Sequence, residues 1–293
     1  MAQAALIRES DVETAPGITL RCREAGTHGP RVLLLHGFPE AAFVWDEPML
    51  ALAGEARCRA PNLRGFAGSS APADASAYKP KALIGDLAAL IEDFGAPLDL
   101  LVAHDWGGAL AWGLAAQRPQ LLRRLLIVNA PHPATFLREL RGNPAQIAAS
   151  AYMNWLCRPD AAARLAENGY ARLWPFFGGG AWLTEALKAR YRAVWDLGLD
   201  GALNYYRNSP LRPSTRPDDA IHTLVLSDEA VTVKVATRVL WGERDEALLP
   251  ALLDGLERWV PELRVERVPD ASHWIVHEQP QRVVRAIRTA LAS

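Results

Sequence analysis

Four short apolar segments constrain the fold of this chain more than any other feature of its sequence. They cover residues 32–35, 98–103, 125–128 and 237–241. Nearly continuous apolar runs of this length are typical of strands that are buried on both faces of a parallel sheet. Between the first two, residues 82–94 have apolar side chains at the 3.6-residue spacing of an amphipathic helix. This alternation of strands and helices predicts an open α/β sheet.

The two ends of the chain add further elements to the sheet. From residue 5 to about residue 23, apolar residues alternate loosely with polar ones and are interrupted at Pro16-Gly17, which predicts an antiparallel hairpin. Residues 263–268 have the character of a strand, and residues 280–291 have that of an amphipathic helix. The expected sheet is therefore mostly parallel, with helices flanking it.

A long helical region interrupts this pattern. From residue 134 to about residue 220 the sequence has no run of the buried-strand type, but Trp, Tyr, Leu and Arg recur at helical spacings. We predict a helical cap at residues 134–220, inserted after the sixth strand into a core of residues 1–133 and 221–293. An insertion at this point can cover the carboxyl ends of the strands, where open α/β sheets bind ligands. Residues 221–233 have no clear pattern.

Charge and hydropathy exclude several classes of protein. The 32 Lys and Arg residues balance the 33 Asp and Glu residues, so the sequence offers no basic field for nucleic acid or for an anionic membrane. The longest apolar runs have about five residues, whereas a membrane-spanning helix needs roughly eighteen. Acidic residues interrupt the amino-terminal segment, where an export signal would be continuously apolar. We therefore expect a cytoplasmic protein that binds neither nucleic acid nor a membrane.

The cysteines give no sign of a metal centre or of a disulfide framework. Cys22, Cys58 and Cys157 are odd in number and far apart in the sequence. Neither a metal-binding spacing nor a disulfide pattern results. We predict that the protein has no metal site and that these residues are ordinary thiols.

A candidate nucleophile lies where one of the apolar segments runs into a helix. Residues 100–103 are followed by His104, Asp105 and Trp106 and then by a pair of glycines. A strand, a sharp turn between small residues and a helix form a nucleophile elbow, which exposes its central side chain above the sheet. Asp105 holds the position that Ser or Cys usually occupies. The alternative is that Asp105 only caps the helix, which is a common role for Asp.

A candidate acid and a candidate base follow in later loops. Asp245 follows the strand predicted at residues 237–241, and His273 follows the last predicted strand. Nucleophile, acid and base therefore occur in the order expected of an α/β-hydrolase. Glu243 and Asp270 compete for the role of the acid. Asp245 is preferred because it lies furthest along its loop, where it can reach the histidine.

An oxyanion hole is predicted from backbone amides near these residues. Phe38 follows a strand end and a glycine turn, and Trp106 directly follows the nucleophile. Their N–H groups would stabilise a negative oxygen that develops on Asp105. The chemistry needs one imidazole base. His36 and His104 are therefore interpreted as structural. His132 and His277 are left without a role.

The chain resembles the epoxide hydrolases of the α/β-hydrolase superfamily over nearly its whole length. The matching segments are residues 36–40, 63–70, 104–108, 201–208 and 242–245. The resemblance implies an α/β-hydrolase fold and conversion of an epoxide to a vicinal diol. It departs from the common pattern at Asn62, where relatives often have Asp.

The resemblance also implies a pair of tyrosines that hydrogen-bond the epoxide oxygen. In that family one cap tyrosine precedes an Arg-Asn pair and the other lies earlier in the cap. Tyr206 and Tyr152 match these positions. Tyr205, about 100° away from Tyr206 on the same helix, is expected to pack outward.

The mechanism implied for this chain is covalent. Asp105 would attack a saturated carbon and form an ester, and water activated by His273, with support from Asp245, would cleave that ester. Tyr152 and Tyr206 would donate to the leaving oxygen. The expected substrate is a small hydrophobic epoxide, no metal or organic cofactor is needed, and the protein is expected to be a monomer or a homodimer.

Two alternatives stay open from the sequence. A haloalkane or haloacid dehalogenase uses the same Asp-His-Asp triad but expels halide. Haloalkane dehalogenases usually have Asn where this chain has Phe38, and haloacetate dehalogenases usually have Arg where it has Trp106, so both residues favour the epoxide. A non-catalytic small-molecule receptor on a hydrolase scaffold is the more remote alternative, because such receptors generally resemble serine hydrolases.

Overall fold

A computed structural model describes residues 6–292 of the chain, and its central feature is one sheet of eight strands. The strands follow the spatial order β1-β2-β4-β3-β5-β6-β7-β8. The pairs β1/β2 and β2/β4 are antiparallel, and the pairs from β4 through β8 are parallel. The strands are β1 (Arg8–Ala15), β2 (Ile18–Ala25), β3 (Arg31–Leu35), β4 (Arg57–Pro61), β5 (Leu100–His104), β6 (Arg124–Val128), β7 (Ala236–Gly242) and β8 (Leu263–Val268).

The predicted amino-terminal hairpin is confirmed. β1 and β2 pair in antiparallel fashion on either side of Pro16-Gly17. Gly17 has a φ of +73°, a conformation that glycine adopts without steric cost. The predicted start of the hairpin at residue 5, and part of the segment considered for an export signal, lie outside the described residues.

The four buried strands are confirmed, and one strand was missed. The segment predicted at residues 98–103 begins two residues before β5, since Leu98 makes only an isolated bridge to Leu122. β4 was not predicted because Arg57 and Arg59 interrupt its apolar residues. Arg59 is kept in the sheet by ion pairs to Glu24, at 2.8 Å, and to Asp93.

The described residues form twelve α-helices, of which seven lie between β6 and β7. The predicted helices at residues 82–94 and 280–291 are confirmed, each with small differences at the ends. No helix among residues 6–292 is both long and apolar enough to cross a membrane. The helices are α1 (Asp46–Leu52), α2 (Pro80–Phe94), α3 (Asp105–Gln117), α4 (Pro133–Gly142), α5 (Pro144–Ala149), α6 (Tyr152–Leu156), α7 (Ala161–Tyr170), α8 (Glu185–Trp195), α9 (Asp200–Arg207), α10 (Asp228–Val231), α11 (Ile275–Glu278) and α12 (Pro280–Ala292).

Residues 221–233, which had no clear sequence pattern, belong to the helical region between β6 and β7. A short 3₁₀ helix, Ala220–His222, leads into this segment, and α10 lies within it and packs against α3. The division into a core of residues 1–133 and 221–293 and a cap of residues 134–220 stays a prediction.

The parallel strands bring distant parts of the chain to one edge of the sheet. β3, β5 and β6 have almost entirely buried side chains because they lie between helices on both faces. Their register aligns Leu35 with Ala103 and His104 with Val128, and Val128 in turn with Leu240. Residues that follow these strands therefore meet at the carboxyl edge, where ligands bind in open α/β sheets.

Candidate active site

Asp105 lies at the sharp junction between β5 and α3. Its φ is +49°, in the left-handed region that non-glycine residues rarely adopt, and such a residue costs about 1–3 kcal/mol. The junction needs small neighbours. A Cβ on Gly107 would lie 2.6 Å from the Leu35 Cβ atom, so only glycine allows α3 to start this close to β3. The strained turn between strand and helix has the geometry predicted for a nucleophile elbow.

The Asp105 carboxylate is held by the loop that follows β3. The Phe38 amide donates to Asp105 Oδ1 at 2.8 Å, and a Cβ on Gly37 would overlap the carboxylate. Among the described residues, no amide of α3 donates to this carboxylate, so Asp105 is not a helix cap. The structure thus brings the predicted Phe38 amide to Asp105. It records no such bond for the Trp106 amide, which belongs to the first helical turn, where N–H groups have no intrahelical acceptor.

His273 lies between Asp105 and Asp245. Its Nδ1 atom is 2.7 Å from Asp245 Oδ2, and its Nε2 atom is 3.8 Å from Asp105 Oδ2. The two competing acids lie elsewhere. Glu243 pairs with Arg267 at 3.2 Å, and Asp270 is exposed. The acid that the structure places on the histidine is therefore Asp245.

Asp245 is buried and fully engaged as a hydrogen-bond acceptor. Its Oδ1 atom accepts the amides of Ala247 and Leu248, at 2.9 and 2.8 Å. Its Oδ2 atom accepts the side-chain amide of Asn129 at 2.8 Å, beside the His273 bond. These bonds fix the orientation of the buried carboxylate beside the imidazole.

Sequence reasoning missed Asn129. It follows β6 directly and has a φ of +39°, a conformation that Asn tolerates better than most residues. Its side chain also bonds the backbone of Gly242, accepting from N at 2.8 Å and donating to O at 3.2 Å. An Asn directly after a buried strand was the available signal. Its bonds tie the end of β6 to the loop that carries Asp245.

The charges around His273 control its protonation. Burial lowers the pKa of the imidazole, but the nearby carboxylates, first Asp245 and then Asp105 and Glu40, outweigh that effect and raise the pKa to about 9. The unmodified site therefore has a protonated imidazole at neutral pH. Removing one of the negative charges would lower this pKa.

Tyr152 and Tyr206 approach Asp105 from the helical region. Tyr152 begins α6, Tyr206 lies in α9, and their ring centroids are 6.2 Å apart. Burial and the Asp105 carboxylate raise the pKa of both phenols well above the usual value. Both therefore keep their O–H donors at physiological pH.

The expectation for Tyr205 is wrong. Its side chain does not pack outward but is 2% exposed, and its hydroxyl donates to the carbonyl oxygen of Arg64 at 2.9 Å. The reason is that this face of α9 rests on the core: Gly201 lies directly against Gly65, and a Cβ on Gly201 would be 2.5 Å from the Gly65 Cα atom. Tyr206, one residue on, is directed toward Trp106, with ring centroids 5.0 Å apart.

Two cavities meet at Asp105, Tyr152 and Tyr206. One, of about 340 Å³, is lined mainly by apolar side chains of α2, α3, α4 and the segment before β7. The other, of about 430 Å³, is more polar and is lined by His273, Asp245 and the loops around them. Asp105 thus lies between an apolar chamber and a more polar chamber that contains the predicted base. Within residues 6–292, no group of His, Cys, Asp or Glu side chains could hold a metal ion.

Comparison with known proteins places this site in a family. A model of the α/β-hydrolase fold matches residues 30–280. The AB hydrolase superfamily protein YfhM of Bacillus subtilis is 34% identical over 92% of this chain and 93% of its own length. Epoxide hydrolase 3 of Xenopus tropicalis is 33% identical over 89% of this chain and 71% of its own length. The chain belongs to the epoxide hydrolase family.

Solved structures agree with that assignment. An inhibitor complex of the Bacillus megaterium epoxide hydrolase has a TM-score of 0.88 and 29% identity, and the match covers 97% of this chain and 100% of that chain. An epoxide hydrolase structure from metagenomes of hot environments has a TM-score of 0.84 and 32% identity, over 98% of this chain and 99% of that chain. The α/β-hydrolase fold and the resemblance predicted from the sequence are confirmed.

In this epoxide hydrolase a second group of buried polar side chains lies behind His273. Glu40 accepts from His104 Nδ1 at 2.9 Å and contacts His277 Nε2 at 3.1 Å. Burial raises the pKa of Glu40, but His104 and His277 outweigh it and hold the pKa well below its usual range. His104 Nε2 lies 2.9 Å from the backbone oxygen of His273. This anion therefore contributes to the charge around the histidine, and sequence reasoning assigned it no role.

The other histidines of this epoxide hydrolase have structural partners. His36 lies 2.9 Å from the Gly37 oxygen through Nδ1, accepts the Leu63 amide at Nε2, and has a pKa lowered to about 4 by burial. His132 caps α4 by accepting the Ala134 amide, and burial also lowers its pKa to about 4. Both imidazoles are neutral at physiological pH, which agrees with the interpretation of His36 as a structural residue.

Proposed function

We propose that this protein hydrolyses epoxides to vicinal diols through a covalent ester on Asp105. Membership of the epoxide hydrolase family supports the overall reaction. The observation that carries the chemistry is the environment of the Asp105 carboxylate. One oxygen accepts the Phe38 amide, and the other faces the imidazole of His273 at 3.8 Å. A carboxylate oriented in this way can act as a nucleophile.

In the first step, Asp105 Oδ2 attacks a carbon of the epoxide ring, because Oδ1 is engaged with Phe38. The new bond joins Oδ2 to carbon, and the bond between that carbon and the ring oxygen breaks. The released oxygen is an alkoxide, a poor leaving group without a donor. Tyr152 and Tyr206 hydrogen-bond it, and one of them transfers its proton to it. The raised pKa values of both phenols support this role, since both are protonated before the reaction.

In the second step, water cleaves the ester. His273 removes a proton from water, and the resulting hydroxide adds to the ester carbon of Asp105. Negative charge grows on Oδ1, where the Phe38 amide, with the predicted Trp106 amide, stabilises it by about 3 kcal/mol per donor. The bond to the alkyl oxygen then breaks, and that oxygen takes the proton from His273. The carboxylic acid left on Asp105 loses its proton, which balances the one given up by the tyrosine.

Formation of the ester itself prepares His273 for the second step. The carboxylates around the imidazole hold its pKa at about 9 in the free enzyme. Esterification removes the charge of Asp105, one of the groups that raise this pKa. The imidazole then loses its proton more readily and can accept one from water.

The substrate is a small hydrophobic epoxide. The apolar chamber next to Asp105 supports a hydrocarbon substituent, because its polar lining is sparse apart from the reacting groups. The pair of phenol O–H donors favours an epoxide over an alkyl halide, since halide leaves without proton transfer. A monomeric or homodimeric state and a cytoplasmic location stay predictions.

The proposal is tested by supplying styrene oxide, a chloroalkane and fluoroacetate in parallel and measuring diol and halide. We expect diol from styrene oxide and no halide from either halogenated compound. Asp105→Ala is the control and should form no diol. Release of halide without any diol would assign the protein to the dehalogenases instead.

A further inference from the structure

The apolar chamber has a definite direction, which α3 sets. Asp105, Ala109, Gly113 and Gln117 all line it, and their spacing of four residues places them along one face of the helix. At 1.5 Å per residue, this face extends about 18 Å from the nucleophile to Gln117. A cavity of about 340 Å³ that follows three helical turns is a channel and not a rounded pocket.

Two small residues of α3, Ala109 and Gly113, line the channel beside the larger Trp106 and Leu110. Ala109 and Gly113 lie one and two turns from Asp105, and a leucine-sized side chain at either would project into the channel. The opposite side includes Leu83 and Ile84 of α2. At Gly113 the two helices are close, since an added Cβ would lie 2.9 Å from Ile84 Cδ1. The channel is therefore bounded along its length by hydrocarbon.

The polar side chains along the channel are already bonded to the protein. Tyr78 donates to the Pro72 oxygen, Tyr205 to the Arg64 oxygen, Asn208 to the Ala75 oxygen and Ser209 to the Leu211 oxygen. These hydroxyl and amide groups have their donors occupied before a substrate arrives. A polar substituent in the middle of the channel would lose its bonds to water and gain few in return, which is costly. At the far end Gln117 and Pro80 are exposed, so the channel reaches solvent there.

We propose that the channel binds an unbranched alkyl chain carried by the epoxide, and that Ala109 and Gly113 determine how long this chain can be. The proposal rests on the proposed function, because the reacting carbon must lie at Asp105. A short chain occupies only the first turn, beside Ala109. A longer chain passes Gly113 and continues toward Gln117. Each added methylene that becomes fully buried should raise kcat/KM by about fourfold.

The experiment uses terminal epoxides of increasing length: epoxybutane, epoxyoctane and epoxydodecane. For the wild type, kcat/KM should rise with chain length. In Ala109→Leu, the ratios of kcat/KM for epoxyoctane and for epoxydodecane to that for epoxybutane should both fall, by about tenfold or more. In Gly113→Val, only the epoxydodecane ratio should fall in this way. The ordered cut-off follows from the positions of the two residues along α3.

Gly85→Val is the matched control. Gly85 lies in α2, does not line the channel, and has nothing within 4 Å of an added Cβ, so this variant should keep the wild-type ratios. Ratios that stay constant in all three variants, or that fall equally for Ala109→Leu and Gly113→Val, would overturn the proposal.

Folding of the variants does not limit the test. If Gly113→Val does not fold, the wild-type series decides the question, because a kcat/KM that is flat or falls with chain length contradicts an elongated channel. The absence of diol from every epoxide would instead disprove the proposed function itself. The two failures are therefore distinguishable.

Discussion

Trp195 donates its indole N–H to the carbonyl oxygen of Pro39 at 2.6 Å. Pro39 directly follows Phe38, whose amide donates to Asp105 Oδ1. Trp195 is 4% exposed and is the last residue of α8. The helical region between β6 and β7 is therefore joined by a buried hydrogen bond to the loop that orients the Asp105 carboxylate.

Loss of the hydrogen bond between Trp195 and Pro39 is expected to slow ester hydrolysis, the second step of the reaction. Charge on Asp105 Oδ1 falls when the ester forms and grows when the ester is hydrolysed, so a well-positioned Phe38 amide favours the second step. We expect Trp195→Phe to slow ester hydrolysis by about tenfold, less than the roughly hundredfold cost of deleting such a donor. Stopped-flow measurement should show that ester formation is not slowed. Trp182→Phe is the control, since the buried Trp182 Nε1 has no hydrogen-bond partner among residues 6–292. Equal decreases in the rate of ester hydrolysis in the two variants would refute the prediction.

Loss of a hydroxyl from the pair of Tyr152 and Tyr206 is expected to slow epoxide opening, the first step of the reaction. Tyr206→Phe should slow epoxide opening by about a hundredfold, because it removes a donor to the leaving oxygen. Ester hydrolysis should change far less. Tyr205→Phe is a matched control, since that hydroxyl donates to the Arg64 oxygen and is expected to affect stability more than opening. Single-turnover kinetics separates the two steps, and an unchanged opening rate in Tyr206→Phe would argue for a different leaving-group donor.

Replacing the proposed base should trap the covalent intermediate. His273→Gln keeps a polar side chain next to Asp245 but cannot accept a proton from water, so the ester should be hydrolysed at least about a hundredfold more slowly. Mass spectrometry of the protein under excess epoxide should show one added substrate mass on the peptide that contains Asp105. A protein that turns over slowly yet remains unmodified would show that His273 acts before the ester forms.

The charge of Asp105 should be visible in the titration of His273. Asp105 is one of the carboxylates that raise the histidine pKa to about 9. Asp105→Asn removes that charge, and since an anion stabilises the imidazolium, its loss must lower the pKa. An NMR titration of the His273 ring should therefore show a midpoint below that of the wild type. A midpoint that is unchanged or higher would mean that Asp105 does not influence the base.

The order of the three candidate catalytic residues could be read from the sequence because its signals are local. A buried strand before Asp105, an acidic loop before Asp245 and a loop histidine at His273 can each be recognised within about ten residues. The parallel sheet then brings the ends of β5, β7 and β8 to one edge. Residues that are far apart in the sequence therefore lie close together and can form one site.

The contacts that support the site were not predictable in the same way. Asn129 reaches Asp245 across 116 positions, and Glu40 reaches His277 across 237. Such bonds depend on which loops are adjacent in the folded chain. Tyr205 was misplaced for a related reason. A spacing of 100° separates it from Tyr206 but does not indicate whether its own face meets solvent or, as here, the backbone of Arg64.

The most direct test of the covalent route follows oxygen through a single turnover. Enzyme in excess over an epoxide is allowed to react once in water labelled with heavy oxygen. Because Asp105 Oδ2 becomes the new oxygen of the diol, the account predicts an unlabelled diol and a heavy oxygen in the Asp105 carboxylate. Heavy oxygen in the diol from the first turnover, with none in the protein, would contradict it.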